Sequence, residues 1–153
     1  MLESSVSRGH ELQEEKHSLM ANRRKRARSA RDTESSVRSV VIAALDDMKA
    51  IEVKVLDVRG LTDIADTMII ASGSSDRHVR SIAERVIERV KMAGIRPLGL
   101  EGQREGEWIL VDLNDVIVHV MLPRVRALYG LEHLWEATKT HASRRTAGGR
   151  SGE

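Results

Sequence analysis

The chain has 153 residues with no cysteine, two Trp, one Tyr, no Phe and a formal net charge of +2. That length suits one domain with some excess, and the lack of cysteine excludes disulfides, thiol catalysis and thiolate metal sites. The small net charge hides a division: residues 1–31 sum to +4, residues 139–153 to +3, and the part between to −5. An acidic body suits a basic protein partner, and basic ends suit phosphate-rich surroundings. No apolar run approaches the ~20 residues of a membrane span. Glu3, Glu11, Glu14 and Glu15 stand where a secretory signal would be apolar, so a cytoplasmic location is expected.

Residues 1–33 show little apolar periodicity and contain the run Arg23-Arg24-Lys25-Arg26-Ala27-Arg28. They cannot bury enough apolar area to offset chain entropy, which predicts a basic, disordered extension. Residues 139–153 read as a second basic, flexible tail. Between them, 34–138 is strongly patterned. Val37, Val40, Val41, Ala44, Leu45 and Met48 fall at helical spacing. Val53 to Val58 is a β-branched run, broken at Gly60. Thr67 to Ala71 is continuously apolar, as expected of an interior strand. Ser72-Gly73-Ser74-Ser75 supplies helix caps, and Val79, Ile82, Ala83, Val86, Ile87, Val90 and Ala93 form the stripe of a second helix ended by Gly94. Strands follow at Pro97–Glu101, Glu107–Leu113 and Val116–Leu122, and Pro123 opens a final helical region. The order is αββαβββα, which predicts an α/β single domain with a mixed sheet covered by helices.

Asn114-Asp115 makes a two-residue hairpin loop, which pairs Asp112 with Ile117, Leu110 with His119 and Trp108 with Met121. Side chains alternate along a strand. One face then holds Ile109, Val111, Leu113, Val116, Val118, Val120 and Leu122, all aliphatic, and must be core. The other holds Trp108, Leu110, Asp112, Ile117, His119 and Met121. Trp, Tyr, Met and Arg are enriched where proteins meet, and Trp108, Met121, Arg126 and Tyr129 would supply all four types if the last helix folds back beside this face. The pattern alone leaves it open whether a helix covers the face or a partner does.

No catalytic centre is legible. Gly73-Ser74 between a strand and a helix suggests a phosphate-binding turn, but the spacing of the glycine-rich loops is missing and the serines are accounted for as caps. A nucleotidyltransferase would need two alternating carboxylates for magnesium, and Asp112-Leu113-Asn114 has one. Asp112 and His119 have no Ser or Cys nucleophile near them, and the other histidines show no metal-ligand spacing. The expectation is no enzyme, no cofactor and no metal.

Val55-Leu56-Asp57-Val58-Arg59-Gly60-Leu61-Thr62, Ile64-Ala65-Asp66, Ile70-Ala71-Ser72-Gly73-Ser74-Ser75, Glu101-Gly102 and Gly106-Glu107-Trp108 follow one another along the chain. With Asp112, Asp115-Val116-Ile117-Val118-His119-Val120, Arg126, Tyr129 and Leu131-Glu132…Leu134-Trp135, they resemble the ribosomal silencing factor (Iojap) family over roughly residues 36–138. Met121 stands where the family pattern leads one to expect an aromatic. The resemblance implies a nucleotidyltransferase-like fold without the catalytic carboxylates. It implies binding to the large ribosomal subunit through ribosomal protein L14, steric blocking of small-subunit joining, and repression of translation when nutrients are limiting. It also implies a homodimer in the free state and a contact set of Glu101, Trp108, Asp112, His119, Met121, Leu122, Arg126 and Tyr129. Trp135 is expected in the core. A weak contact of the basic arms with ribosomal RNA is a further expectation, with no membrane partner. The alternative is a nucleotidyltransferase-like nucleotide-binding protein.

Overall fold

In the computed structural model residues 3–136 are described, with side chains from residue 11 onward. The chain divides into two compact units, Met1–Ser36 and Val37–Glu153.

The first unit is helical. It is the larger part of α1 (Glu3–Asp47), and every side chain from Glu11 to Thr33 is exposed. Helix therefore stands where the composition led us to expect disorder. The physical reason is local: Glu, Gln, Lys, Arg, Ala, Leu and Met, all good helix formers, fill most of this stretch. Within the helix Thr33 Oγ1 and Ser36 Oγ donate back to the carbonyls of Ser29 and Asp32, each over 2.8 Å, which satisfies the hydroxyls without adding to helix stability. Such a helix draws on backbone propensity, so a low apolar content does not forbid it. The tail at 139–153 lies outside the described residues.

The second unit holds the end of α1, then β1 (Ile51–Asp57), β2 (Thr67–Ser72), α2 (Asp76–Met92), β3 (Gly99–Glu101), β4 (Trp108–Asp112), β5 (Val116–Met121) and α3 (Pro123–Tyr129). The sequence order αββαβββα is reproduced. The strands form one mixed sheet in the order β1-β2-β5-β4-β3. Only β2 and β5 run parallel; the other neighbours are antiparallel. Gly130, left-handed at φ 55°, ends α3 and turns the chain into a further helical stretch at 131–136.

One sheet face carries the main core. Ile69, Ala71, Ile109, Val111, Val116, Val118 and Val120 meet Val37, Val41, Ala44 and Leu45 of α1 and Val79, Ile82, Ala83, Val86 and Val90 of α2. The helix stripes expected from the 3.6-residue period face this core: most of their residues are buried, Val40, Met48 and Ile87 are half-buried at its edge, and Ala93 is exposed as the C-cap of α2. The hairpin register is also as expected: Trp108 opposes Met121, Leu110 opposes His119 and Asp112 opposes Ile117. Asn114 takes φ 75°, the left-handed conformation its position in the loop demands.

Candidate docking interface

The second sheet face is built in rows set by the register. Lys54, Ile70, His119, Leu110 and Glu101 form one row across all five strands; Leu56, Met68, Ile117, Asp112 and Gly99 form the next. The β1–β2–β5 side of this face is covered. Val58, Met68, Ile70, Met121 and Val125 make a small buried cluster there, flanked by the half-buried Leu56, Trp108, Leu122, Leu131 and Trp135. Trp135 thus joins the packing, as expected. Towards β4 and β3 the cover ends: Leu110 and Asp112 are half-buried and Glu101 is exposed.

Trp108 sits at this boundary. Its indole Nε1–H donates to His119 Nδ1 over 3.0 Å. Its ring lies 4.9 Å from that of Tyr129 and 5.9 Å from that of His119, tilted by 53° and 51°. Both contacts fit the tilted arrangement that aromatic quadrupoles favour. His119 is buried, and burial pushes its pKa down to about 4. A neutral ring is what the geometry requires, because Nδ1 must keep its lone pair to accept from Trp108. The result is an indole held in one orientation with Tyr129, 59% exposed, against it.

The loop before β4 fixes where Trp108 starts. Gly102 has φ 86°, and a Cβ there would run into the Trp108 carbonyl oxygen, so the close approach requires glycine. From α2, Arg80 donates through Nε to Gln103 O (2.9 Å) and through Nη2 to Arg104 O (2.8 Å), and its Nη1 bonds Asp76 Oδ2 at 3.1 Å. Arg80 lies on the polar side of α2 by its periodicity, which gives no sign of this role. Helical periodicity reports which face is apolar, not which arginine reaches a loop carbonyl 23 residues away.

Behind the face lies a buried charge cluster. Arg126 donates to both carboxylate oxygens of Glu132, Nε to Oε1 at 2.6 Å and Nη2 to Oε2 at 3.0 Å. Its Nη1 reaches Ser72 Oγ at 3.0 Å and the Ile51 carbonyl at 3.4 Å. That carbonyl is turned inward next to a bulge, where β1 advances three residues from Ile51 to Lys54 while β2 advances two. Lys54 Nζ adds an ion pair to Glu132 at 3.2 Å. The Arg126 bonds hold the Glu132 carboxyl at about 2, below its ordinary 4.5. The cluster ties α3, the 131–136 stretch and two strands together.

The eight expected contact residues therefore separate. Glu101, Trp108, Asp112, Leu122 and Tyr129 retain exposed surface. Met121 is fully buried, and Arg126 and His119 are 5% and 6% exposed, so these three offer little surface. Their burial has a definite cause. Alternation put Met121 and His119 on the right face, but the returning helix covers that part of it, and Arg126 points inward to Glu132. Leu122 lies past the end of β5 as the N-cap of α3 and packs beside both apolar clusters, so strand alternation no longer governs it. Asp112 spends part of its carboxylate locally, accepting from Asn114 N at 2.9 Å.

The Gly73-Ser74-Ser75 turn is occupied by its own chain. Gly73 N donates to Met121 O (3.1 Å), Ser74 N to His78 Nδ1 (2.9 Å), and Ser75 Oγ caps His78 N (3.1 Å). Among the described residues no group of three or more His, Asp or Glu is placed to hold a metal ion, and no helix is long and apolar enough to cross a membrane.

Fold and face together define a small α/β protein with an aromatic pair, Trp108 and Tyr129, on a half-covered sheet face and a buried Arg126–Glu132 pair behind it. The chain belongs to the ribosomal silencing factor family: residues 29–151 match the family described as "Ribosomal silencing factor during starvation". Ribosomal silencing factor RsfS of Chromobacterium violaceum is 44% identical over 103 residues, 67% of this chain and 84% of that protein. The protein of the same name from Bacillus subtilis is 38% identical over 102 residues, 67% and 86% of the two chains. A crystal structure of a Chromobacterium violaceum protein matches with a TM-score of 0.66 at 43% identity, covering 67% of this chain and 85% of the other.

Proposed function

We propose that this chain silences ribosomes by docking on ribosomal protein L14 of the large subunit, so that its bulk blocks joining of the small subunit when nutrients are limiting. Residues 34–138 act as the silencing domain, in the cytoplasm, without catalysis and without a cofactor; the free protein forms a homodimer. The observation that supports docking through this face is the Trp108–Tyr129 pair, kept in place by His119 and bordered by Glu101 and Asp112. A rigid aromatic anchor loses little side-chain entropy on binding, and such residues dominate interface energetics. The neighbouring carboxylates, in an acidic body, suit a basic protein surface. Glu101, Trp108, Asp112, Leu122 and Tyr129 make the contact, while His119, Met121 and Arg126 act from behind it.

The test is co-sedimentation with isolated large subunits. The full chain should pellet with them and lower the fraction of joined ribosomes, and Trp108→Ala should weaken binding by ~2 kcal/mol, about 30-fold. Undiminished pelleting of Trp108→Ala would remove this face from the contact. A magnesium-dependent thermal shift with a nucleoside triphosphate would favour the nucleotide-binding alternative.

A further inference from the structure

The first unit has no part in the proposed L14 contact, and it carries an ordered charge pattern. A helix advances about 100° per residue. With Arg23 set to zero, Lys16, Arg31, Arg24 and Arg28 fall at about 20°, 80°, 100° and 140° on α1, one cationic arc about 140° wide. The exposed carboxylates between residues 11 and 33 lie elsewhere: Glu14 and Asp32 at about 180°, Glu11 at about 240° and Glu15 at about 280°, while Glu34, in line with the arc at about 20°, is buried. The other nine side chains are exposed. At ~1.5 Å per residue the cationic row is about 22 Å long. Lys25 and Arg26, at about 200° and 300°, lie off it.

We infer that this arc is a binding surface for the phosphate backbone of double-stranded RNA. A helix that needed charge only for solubility could scatter it, whereas here a ligand on the arc between residues 16 and 31 meets five cations and no exposed carboxylate. Four of the five are Arg, whose planar fork matches phosphate oxygens two at a time. A membrane surface fits less well, because interfacial helices bury a broad apolar face. Between residues 11 and 33 the only large apolar side chains are Leu12, Leu19 and Met20, with no aromatic. That the phosphates belong to RNA rests on the ribosomal reading above; the arc itself does not.

The experiment measures binding of the full chain to a 20-base-pair RNA duplex by fluorescence anisotropy across a salt series. About five phosphate contacts predict a log–log salt slope near −4. Arg24→Gln with Arg28→Gln should reduce that slope by about 2 and lower low-salt affinity at least ~10-fold. Lys25→Gln with Arg26→Gln removes the same charge off the arc and should cost less than about threefold. Gln matches Arg and Lys in helix propensity, and far-ultraviolet circular dichroism checks that the helix persists. Trp108→Ala should bind RNA normally, so this inference and the docking proposal fail separately. Equal losses in the two double variants, no binding to the duplex at low salt, or tighter binding to anionic lipid vesicles than to RNA would each overturn it.

Discussion

The two faces of the sheet are held by different physics. The buried cluster under α1 and α2 is wholly aliphatic, with Thr67 the buried polar residue of β2 on that face, and many combinations of side chains with the right volume would serve it. The opposite face mixes the five buried residues of the smaller apolar cluster and Ile117 with Ser72, His119, Arg126 and Glu132, also buried. Each of these polar groups needs one particular partner at one particular distance, because an unpaired buried polar group costs more than its bond returns. The first face is therefore secured by area and the second by geometry. A geometrically secured face can stop short of the sheet edge and still hold its exposed aromatics in fixed positions. That is why the candidate contact lies there.

The largest test of this difference removes a buried charge. Arg126→Ala leaves Glu132 without its bidentate partner and should destabilise the protein by about 3–5 kcal/mol in urea unfolding. Replacing both groups, Arg126→Met with Glu132→Leu, should recover most of that loss, since a well-packed apolar pair substitutes for a buried ion pair. A single-variant cost below ~1 kcal/mol would mean that the second face is not held by this cluster.

A smaller effect is expected from pH. His119 is neutral in the folded protein down to about 4, while an unfolded His takes up its proton near 6.5. As pH falls below 6.5 the unfolded state binds the proton first, so stability should drop by about 1.4 kcal/mol per pH unit until about pH 4. His119→Gln, which keeps an acceptor for the Trp108 indole, should flatten thermal stability across that window. The Glu132 contribution is lost in a lower window, as pH falls from 4.5 towards 2. A slope between pH 6.5 and 4.5 that survives in His119→Gln would assign it to another group.

The smallest stability effect belongs to the exposed partner of the aromatic pair. Tyr129→Ala should cost about 1 kcal/mol or less in folding, the value of one aromatic contact at a wet site. It should nevertheless weaken large-subunit binding, and the ratio of the two effects separates an interface residue from a packing one. Equal small effects in both assays would place Tyr129 outside the contact.

Periodicity and alternation, which act over a few residues, were legible. The period-2 pattern of 108–121 carried both the hairpin register and the two-faced character of β4 and β5. The 3.6-residue pattern carried the buried stripes of α1 and α2. Burial of Met121, by contrast, depends on where a helix ten residues further on comes to rest. The Arg80 clamp spans 23 and 24 residues, and the Arg126 bond to Ser72 spans 54.

The sequence by itself thus determined the element order, the aliphatic core face and the placement of Trp108, Asp112, His119 and Met121 on the other one. Those follow from backbone geometry, which repeats at every residue whatever the rest of the chain does. Only the tertiary structure decided which of those four stay at the surface. It turned Arg126 into an internal clamp and wedged His119 beneath Trp108, because burial is set by elements that arrive from elsewhere in the chain.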